Sequence, residues 1–389
     1  MTNLLKISTR NRFSKTQCTR TVGIYRRVFP LISEAFIQEQ AQQMRRYQPT
    51  IIANTLKRQI PFSTVSLSES DWLDLKQTLV LLTRSPHWFG HRDILSQLSL
   101  IHAHFGTDGV YAMALAEKLK IPLVVTFHGF DITLSRQAVW RTGKFLYYQL
   151  LFHEEKLQEN ASAFIAVSQF VRSKLLEKGY PPEKVVQHYI GVDTERFTPI
   201  PRKEKRYILC VGRHTQKKGI DTLLKAFAQI AAKHQEVILL QVGSGSMSRY
   251  LRSLAKSFGL EERVRFLGAQ SHQTIRTLMQ GAEVFALPSQ TAKNGDSEAL
   301  GIVFNEASAC GVPVVSTWHG GIPEAVLDQE TGFLVPEKDT TALADRLDLL
   351  LGDRALAEKL GQQGREFVCR KFDIRKQTSK LEAIYDSLT

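Results

Sequence analysis

Short apolar runs rich in valine and isoleucine recur along the chain, and each is followed by a longer segment with apolar residues at helical spacing. Parallel strands joined by crossover helices produce this pattern, which predicts an α/β fold with two series of strands. In the first series we expect strands at Thr21–Tyr25, Thr50–Ala53, Leu100–His104, Leu123–His128, Ala163–Ser168 and Val185–Ile190. In the second series we expect strands at Tyr207–Val211, Val237–Val242, Val264–Leu267, Val284–Leu287, Val312–Ser316 and Gly332–Val335.

A break in this periodicity separates the two series. Between Phe197 and Arg206, two prolines and a run of charged residues interrupt the apolar pattern, which is typical of a domain linker. A chain of 389 residues is also too long for one hydrophobic core, so we divide it near Pro199. The predicted units are a disordered basic tail (1–20), an N-terminal domain (21–199), a C-terminal domain (200–371) and a last helix (372–389) that packs back on the first domain.

The charge of the chain bears on its partners. The net charge is +13, and residues 1–200 carry 25 Lys and Arg against 16 Asp and Glu. This excess favours anionic partners such as a membrane surface or a phosphorylated acceptor. We expect no nucleic acid, because the cations are not interleaved with aromatic residues. The tail over residues 1–20 has no acidic residue, and an organellar transit peptide is the alternative to a disordered segment.

Cysteine spacing and hydropathy bear on the compartment. The four cysteines lie far apart without a Cys-x-x-Cys pair, which favours free thiols in a reducing compartment. No apolar run approaches the roughly 18–20 residues of a membrane span. We therefore expect a cytoplasmic protein, with peripheral docking on the inner face of the membrane if its acceptor is lipid-linked.

The strongest chemical signal is a pair of glutamates, Glu298 and Glu306, directly after a predicted strand. If a helix begins near Ile302, Glu306 lies in its first turn and Glu298 in the loop before it. Ionised carboxylates pair well with vicinal hydroxyls, so one glutamate can meet a ribose and the other a hexose. The N–H groups of Gly301, Ile302 and Val303 can receive a diphosphate at the positive end of the helix. Together these features outline a nucleotide-sugar site.

Two cations follow the first strand of the second series. Arg213 and Lys218 lie in a Gly-Arg-x4-Lys-Gly loop and can reach the carboxyl end of the sheet. A cation pair there can neutralise the charge that builds on a departing diphosphate, as a metal ion does elsewhere. No Asp-x-Asp pair for a divalent metal occurs in the chain. We therefore expect a reaction that needs no metal and no cofactor.

Glycines also follow strands of the second series. The Gly-Ser-Gly turn beginning at Gly243 is interpreted as structural. Gly320 and Gly321 can let backbone amides approach a phosphate or a sugar, with Glu324 three residues beyond.

Histidines close two strands of the first series. We expect His102 and His104 to point to opposite faces of their strand, so that they cannot bind one metal together and at most one faces the cleft. His128 can hydrogen-bond a transferred sugar or stabilise positive charge, and Asp131 can handle an acceptor hydroxyl. A purely structural role remains the alternative for His128.

Taken together, these motifs resemble glycosyltransferase family 4, the group 1 glycosyltransferases, over about residues 21–371. The resemblance rests on the Glu-x7-Glu motif with its Gly-Val-Pro-Val-Val and Gly-Gly-Ile-Pro-Glu continuation, the Gly-Arg-x4-Lys-Gly loop and the His-Gly-Phe-Asp turn. It implies a GT-B fold, in which two Rossmann-like domains face each other across a donor-binding cleft. Phe29–Ile37 and His102–Gly106 further resemble the exopolysaccharide branch that includes the colanic-acid type enzymes.

The resemblance also implies roles for individual residues. The C-terminal domain would bind the nucleotide sugar and the N-terminal domain the acceptor. On the donor side the resemblance implies contacts of Arg213 and Lys218 with the diphosphate, of Glu306 with the ribose and of Glu298 with the sugar, and it places His128 beside the reacting centre. The backbone around Leu267, Gly268 and Ser289 would receive the base, and the loop around Ser33 and Glu34 would face the acceptor. Tyr25–Pro30 replaces the glycine-rich loop that many family members have, which leaves the acceptor contacts open.

The implied activity is transfer of a sugar from a nucleotide-sugar donor to a hydroxyl of a glycan or a lipid-linked saccharide. The configuration at the anomeric carbon would be retained, with the donor phosphate assisting deprotonation of the acceptor, since no enzymic nucleophile is evident in the sequence. Two alternatives stay open. One is another enzyme with this architecture, such as a phosphorylase or a sugar-nucleotide epimerase. The other is a non-catalytic basic protein that binds a membrane or nucleic acid.

Overall fold

The structure is a computed structural model, and it contains two parallel β-sheets, each with helices on both faces. It describes residues 20–31, 34–68, 75–85, 87, 89, 92–201 and 206–389. The strands of the first sheet are β1 (Arg20–Tyr25), β2 (Val28–Phe29), β3 (Tyr47–Leu56), β4 (Ser63–Ser68), β5 (Leu98–His104), β6 (Leu123–Phe127), β7 (Ala163–Ala166) and β8 (Val185–Gln187). The strands of the second sheet are β9 (Tyr207–Val211), β10 (Ile238–Val242), β11 (Val264–Phe266), β12 (Val284–Ala286), β13 (Val314–Thr317) and β14 (Gly332–Val335).

Helices connect most of these strands. In the first half of the chain they are α1 (Ala35–Gln42), α2 (Leu75–Thr83), α3 (Arg92–Leu95), α4 (Gly106–Leu119), α5 (Phe130–Thr133), α6 (Arg136–Arg141), α7 (Phe145–Asn160) and α8 (Gln169–Glu177). In the second half they are α9 (Ile220–Ile230), α10 (Ser248–Ser257), α11 (His272–Gln280), α12 (Ile302–Ala309), α13 (Ile322–Ala325), α14 (Thr340–Gly352), α15 (Arg354–Lys371) and α16 (Ile374–Asp386).

The strand order brings the loops of interest together. The first sheet runs β2-β3-β1-β5-β6-β7-β8, with β4 on the far side of β3, and the second runs β11-β10-β9-β12-β13-β14. Every paired strand is parallel, so the carboxyl ends within each sheet share one edge. The predicted α/β class with two Rossmann-like units is confirmed.

All twelve predicted strands are present, and the described residues add two that the pattern did not indicate. β2 is only two residues long and follows the charged pair Arg26 and Arg27. β4 is rich in serine and pairs only with β3, at the edge of the sheet. Neither strand carries a long apolar run, because neither is buried between two neighbouring strands.

Successive residues of the strands supply apolar side chains to opposite faces. Ile51 packs in one hydrophobic cluster of the first sheet and Ile52 in the other. The second sheet has one large cluster of its own. Two sheets with separate cores explain why a chain of this length folds around more than one centre.

The last helix, α16, leaves the second domain and packs on the first sheet. Leu381 and Tyr385 join the cluster that contains residues of β1 and β3. The Tyr385 hydroxyl lies 2.6 Å from Nδ1 of His102. Oε1 of Glu382, a buried residue, accepts hydrogen bonds from the N–H groups of Arg45 and Arg46 at 2.8 and 2.7 Å. A carboxylate from the end of the chain therefore orders the turn that precedes β3.

We expect Glu382→Ala to lower the free energy of unfolding by about 3 kcal/mol, because it leaves enclosed backbone N–H groups without their charged acceptor. Denaturant unfolding followed by circular dichroism measures the change. The control is Glu366→Ala on α15, an exposed glutamate whose loss should cost no more than about 0.5 kcal/mol. Equal losses in both variants would contradict a special role for Glu382.

Candidate functional site

A buried ion pair joins the two strongest motifs of the second domain. Lys218 ends a short 3-10 turn after β9, and its Nζ contacts Oε2 of Glu298 in the loop before α12. Each side chain is only 12 % exposed. Burial alone would raise the pKa of Glu298, but Lys218 and then Lys217 outweigh it and lower that pKa to about 2. Glu298 is therefore a charged carboxylate at neutral pH.

The loop that carries Glu298 is fixed by three further contacts. Lys217 Nζ contacts Oδ1 of Asp296 at 2.9 Å. The N–H of Glu298 donates to Nε2 of His319 at 3.0 Å, and Nδ1 of the same ring lies 2.7 Å from Oε1 of Glu337. The imidazole therefore accepts through Nε2 and donates through Nδ1, which sets its tautomer.

Gly320 is required by the approach of two backbones rather than by a ligand. Its φ of 54° lies in the left-handed region, and a Cβ at this position would stand 2.1 Å from the carbonyl oxygen of Glu298. The N–H of Gly321 donates to that same oxygen at 3.0 Å. Glu324 turns to the first domain, where it accepts from the N–H groups of Gln169 and Phe170 at the start of α8. The glycine motif therefore shapes the Glu298 loop and joins the domains.

Helix α12 begins at Ile302, as predicted, with Gly301 at its N-cap position. The N–H groups of the first helical turn have no intrahelical acceptor, which leaves those of Ile302 and Val303 directed out of the helix end. Glu306, one turn further on, is buried and does not reach solvent freely. The sequence prediction for this helix is thus confirmed in its position, whereas the contacts assigned to it remain predictions.

Glu306 is engaged by a histidine that the sequence analysis did not single out. Nε2 of His272, the first residue of α11, lies 2.9 Å from Oε1 of Glu306. Nδ1 of the same ring lies 3.1 Å from Oε1 of Glu39 on α1, in the first domain. Arg196 also contacts Glu39, at 2.7 Å. One imidazole therefore bridges a carboxylate of each domain. Hydrogen bonds to Glu306 and then Glu39 raise the pKa of His272 to about 10, so it is a cation at neutral pH.

The histidines of the first domain correct one prediction. The rings of His102 and His104 stack with centroids 4.4 Å apart, so both point to the same face of β5. Residues i and i+2 of a strand share a face, and the expectation of opposite faces was wrong. Nδ1 of His104 lies 3.0 Å from Nε2 of His128. These rings line a cavity of about 10 Å³, too small for more than one water molecule.

His128 is held in an aromatic setting. Its ring lies 4.5 Å from that of Phe105 and 5.1 Å from that of Phe36. Burial, then the neighbouring His102 and the positive charge of Arg26, lower the pKa of His128 well below its usual range, so the imidazole is neutral. Its Nδ1 has no hydrogen-bond partner within the described residues.

Asp131 shapes the turn around His128. One carboxylate oxygen accepts from the N–H groups of His128 and Gly129, and the other from that of Gly106 at the start of α4. The prediction placed this carboxylate at an acceptor hydroxyl. The structure directs both oxygens to the backbone instead.

The predicted acceptor loop is held by a buried charge cluster. Glu34 pairs through both oxygens with Arg26, at 2.7 and 2.8 Å, and Arg26 also contacts Asp108 at 2.6 Å. The Glu34 carboxylate is thus occupied and does not face the cleft as a free group. Ser33, the other residue predicted here, lies outside the described residues. Arg26 lies in the segment Tyr25–Pro30, which stands where many family members have a glycine-rich loop.

The remaining predicted residues differ in their access to the cleft. Arg213 is exposed and forms no ion pair in the part of the chain that the structure describes. Leu267 and Gly268 are half-buried at the end of β11. Ser289 is fully enclosed. The assignment of the backbone at these residues to the base stays a prediction.

The two halves of the site meet at a glycine. Gly129, next to His128, has a φ of 124°, and a Cβ there would lie 2.8 Å from Cβ of Ala299. Ala299 directly follows Glu298 in the chain. The fold thus places the neutral histidine of one domain beside the carboxylate loop of the other.

Four contributors were missed by the sequence analysis: Glu39, His272, His319 and Arg26. His319 directly precedes the Gly-Gly-Ile-Pro-Glu motif, but the sequence does not show that its ring lies between the backbone of Glu298 and the carboxylate of Glu337. His272 follows Ser271, a helix N-cap residue, which marks the start of α11 but not the ring's partners. Each of the four has a partner that is remote in sequence, such as Asp108 for Arg26, and a single sequence does not reveal such contacts.

The described residues also bear on metal sites and membrane-spanning helices. Within these residues no three His, Cys, Asp or Glu side chains converge as a metal site would require. In the same part of the chain, no helix combines the length and apolarity needed to cross a bilayer.

The fold and the cleft residues define a two-domain glycosyltransferase. Residues 33–196 match the family described as Glycosyltransferase Family 4, and residues 192–367 match Glycosyl transferases group 1. The chain belongs to this family of glycosyltransferases.

Two relatives illustrate the range of the family. The chain is 38 % identical over 293 residues to a GDP-mannose-dependent alpha-(1-6)-phosphatidylinositol monomannoside mannosyltransferase of Mycobacterium tuberculosis, covering 71 % of this chain and 73 % of that protein. It is 36 % identical over 250 residues to WcaL of Escherichia coli K12, a glycosyltransferase provisionally assigned to colanic acid biosynthesis. That match covers 63 % of this chain and 59 % of WcaL.

A solved structure shares the fold. HepE of Anabaena, crystallised with UDP and glucose, superposes with a TM-score of 0.77 at 20 % identity, over 95 % of this chain and all of that one. At this identity the likeness supports the fold alone.

We expect Lys218→Ala to lower the free energy of unfolding by about 3–5 kcal/mol, because it leaves the Glu298 carboxylate buried without its cation. Adding Glu298→Gln should recover part of this loss, since the charge is then gone as well. Denaturant unfolding of the wild type, both single variants and the double variant gives the coupling. Additive losses would show that the pair does not interact, and Lys225→Ala, an exposed lysine of α9, is the control.

His272 generates a pH prediction. Its folded pKa of about 10 lies above the ordinary value of 6.5, so its stabilising effect is complete below about pH 6.5 and is lost as the pH rises through 10. The stability difference between the wild type and His272→Gln should therefore be largest near pH 6 and shrink towards pH 10. Unfolding midpoints at several pH values measure it.

His153→Gln serves as the control, because His153 on α7 forms no ion pair among the described residues. A His272→Gln difference that is constant from pH 6 to pH 10 would show that the bridge does not depend on a charged imidazole.

Proposed function

We propose that this glycosyltransferase moves a sugar from a nucleotide-sugar donor to a hydroxyl of a glycan or lipid-linked saccharide, with retention of configuration and without a metal ion. The observation that carries the proposal is the meeting of three groups at one place. These are the Lys218–Glu298 pair, the open end of α12 and the neutral His128 beside the Glu298 loop.

The donor end of the proposal rests on charge. Lys218 lies at the loop before the positive end of α12, where a diphosphate is favoured, and the exposed Arg213 of the same Gly-Arg-x4-Lys-Gly loop would supply a second cation. When the glycosidic bond to the donor breaks, negative charge grows on the departing diphosphate, and fixed cations stabilise it. Lys218 contacts Oε2 of Glu298, which leaves Oε1 to a sugar hydroxyl.

His128 serves the sugar rather than the acceptor proton. A neutral imidazole with an unpaired Nδ1 can hydrogen-bond a sugar hydroxyl, and a buried nitrogen without a partner is stabilised when a ligand supplies one. Its lowered pKa makes it a poor base. The donor phosphate is then the group that takes the acceptor proton, on the face from which the diphosphate leaves.

Glu306 and His272 connect donor binding to the domains. If Glu306 receives the ribose hydroxyls, the ribose joins a carboxylate that already bonds to His272 and, through it, to Glu39 of the first domain. Donor binding is thereby linked to the position of α1.

Relatives suggest where the product is used and leave the donor base open. The name of WcaL assigns it to colanic acid biosynthesis, which supports a role in exopolysaccharide or cell-surface polysaccharide synthesis. The mycobacterial relative is GDP-mannose-dependent by name, whereas HepE was crystallised with UDP and glucose. The base is therefore the first property to measure.

The experiment is a donor screen in EDTA with UDP-, GDP- and ADP-sugars, in which thermal shift and slow donor hydrolysis are followed. One nucleotide class should stabilise the protein, and Glu306→Ala should weaken its binding by at least about tenfold, as expected for a lost charged hydrogen bond. Glu330→Ala, an exposed glutamate, is the control. The anomeric configuration of the product is read by NMR.

Three outcomes would contradict the proposal in different parts. If EDTA abolishes the activity and a divalent ion restores it, the reaction requires a metal ion. A product with inverted anomeric configuration would contradict the retaining mechanism. A folded protein that responds to no donor would favour a non-catalytic binding protein on the same scaffold.

A further inference from the structure

An exposed aromatic cluster stands on the first domain, on the hairpin formed by α6 and α7. The ring of Trp140 lies 4.8 Å from that of Tyr148 and 5.8 Å from that of Phe152. Trp140 is 53 % exposed, Phe152 65 % and Phe145 42 %. Phe145, Tyr148 and Phe152 lie at helical spacing on one face of α7. We call these four residues the aromatic patch.

Exposed cations predominate at the α6 end of the aromatic patch, and the exposed Glu155 lies one turn beyond Phe152 on α7. Arg136, Arg141 and Lys144 are exposed, and no acidic residue occurs from Ile132 to His153. Tryptophan and other aromatic side chains next to cations are characteristic of surfaces that lie at a membrane interface, where the rings enter the headgroup region and the cations meet anionic lipid.

The hairpin is anchored on its inner side and adjoins the cleft. Leu134, Ala138 and Val139 form a small core with the inner rings of α7. Phe130 stacks on Phe105 at 5.2 Å, and Phe105 is the neighbour of His128. A Cβ on Gly295, in the loop before Glu298, would lie 3.2 Å from the carbonyl oxygen of Thr133. The patch is therefore the outer end of a connected set of side chains that reaches the proposed reaction centre.

We propose that the aromatic patch, with Arg136, Arg141 and Lys144, docks the first domain on the surface of an anionic bilayer. The docked orientation brings the mouth of the cleft to the plane of the headgroups, where the head of a lipid-linked saccharide lies. This link to the acceptor rests on the proposed function, whereas docking itself is tested without any substrate.

The test is sedimentation of the full chain with vesicles of phosphatidylglycerol and phosphatidylcholine, compared with phosphatidylcholine alone. We expect binding to the anionic vesicles that falls with salt. Trp140→Ser/Phe152→Ser should weaken it by at least about tenfold, since two apolar anchors are lost. Arg141→Gln/Lys144→Gln should weaken it about 25-fold, as expected for two cations near the surface.

The control pair is Tyr250→Ser/Phe258→Ser, two exposed aromatic residues on and next to α10, a basic helix of the other domain. It should bind vesicles as the wild type does. Equal losses in both aromatic pairs, or no binding by the wild type, would overturn the proposal. So would concentration-dependent self-association without vesicle binding that the Trp140→Ser/Phe152→Ser change removes, because the patch would then be an interface between copies of the chain.

Donor hydrolysis without vesicles separates this proposal from the proposed function. All four proteins should keep wild-type donor hydrolysis, because none of the changed residues touches the Glu298 loop. If the proteins bind vesicles but none of them hydrolyses a donor, the docking proposal stands and the proposed glycosyltransferase function is contradicted.

Discussion

The donor side of this molecule depends on the charge of one enclosed carboxylate. Glu298 is shielded from water, and burial alone would favour its protonated form. The contact with Lys218 reverses that preference and at the same time ties the loop after β9 to the loop before α12. The backbone of Gly320 and the ring of His319 then fit closely around the same loop. A charged, immobile carboxylate at the head of α12 is thus present before any ligand arrives.

Besides the apolar packing of α16 on the first sheet, charged contacts join the two domains. Glu324 caps α8, Glu382 on α16 orders the turn before β3, and His272 joins Glu39 to Glu306. Charged contacts of this kind depend on geometry and protonation, and they can rearrange without opening either hydrophobic core. The position of His272 is notable because it combines a domain contact with the carboxylate expected to meet the donor. A ligand that binds Glu306 would therefore alter both this carboxylate and the contact between the domains.

The sequence predicted those features that depend on local pattern. The strands of both series followed from apolar runs of the right length, and α12 began at Ile302 because Gly301 precedes it and apolar residues follow. Residues whose role depends on a distant partner were not predictable. The sequence does not show that Arg26 binds both oxygens of Glu34. It also does not show that three backbone N–H groups donate to the carboxylate of Asp131. The error on His102 and His104 was different, since strand geometry alone places them on one face.

Arg26 lies where many family members have a glycine-rich loop, and this difference has a chemical consequence. A glycine loop offers backbone N–H groups to a ligand, whereas here a guanidinium fills the space, stacks 4.6 Å from the Phe105 ring and is neutralised by Glu34 and Asp108. Because Phe105 also contacts His128, this buried cluster sets the environment of the histidine and helps to keep its imidazole neutral. This face of the first domain is therefore built from enclosed charges behind aromatic rings. If the acceptor binds here, as we propose, the side chains that meet it are aromatic rather than backbone N–H groups of a glycine-rich loop.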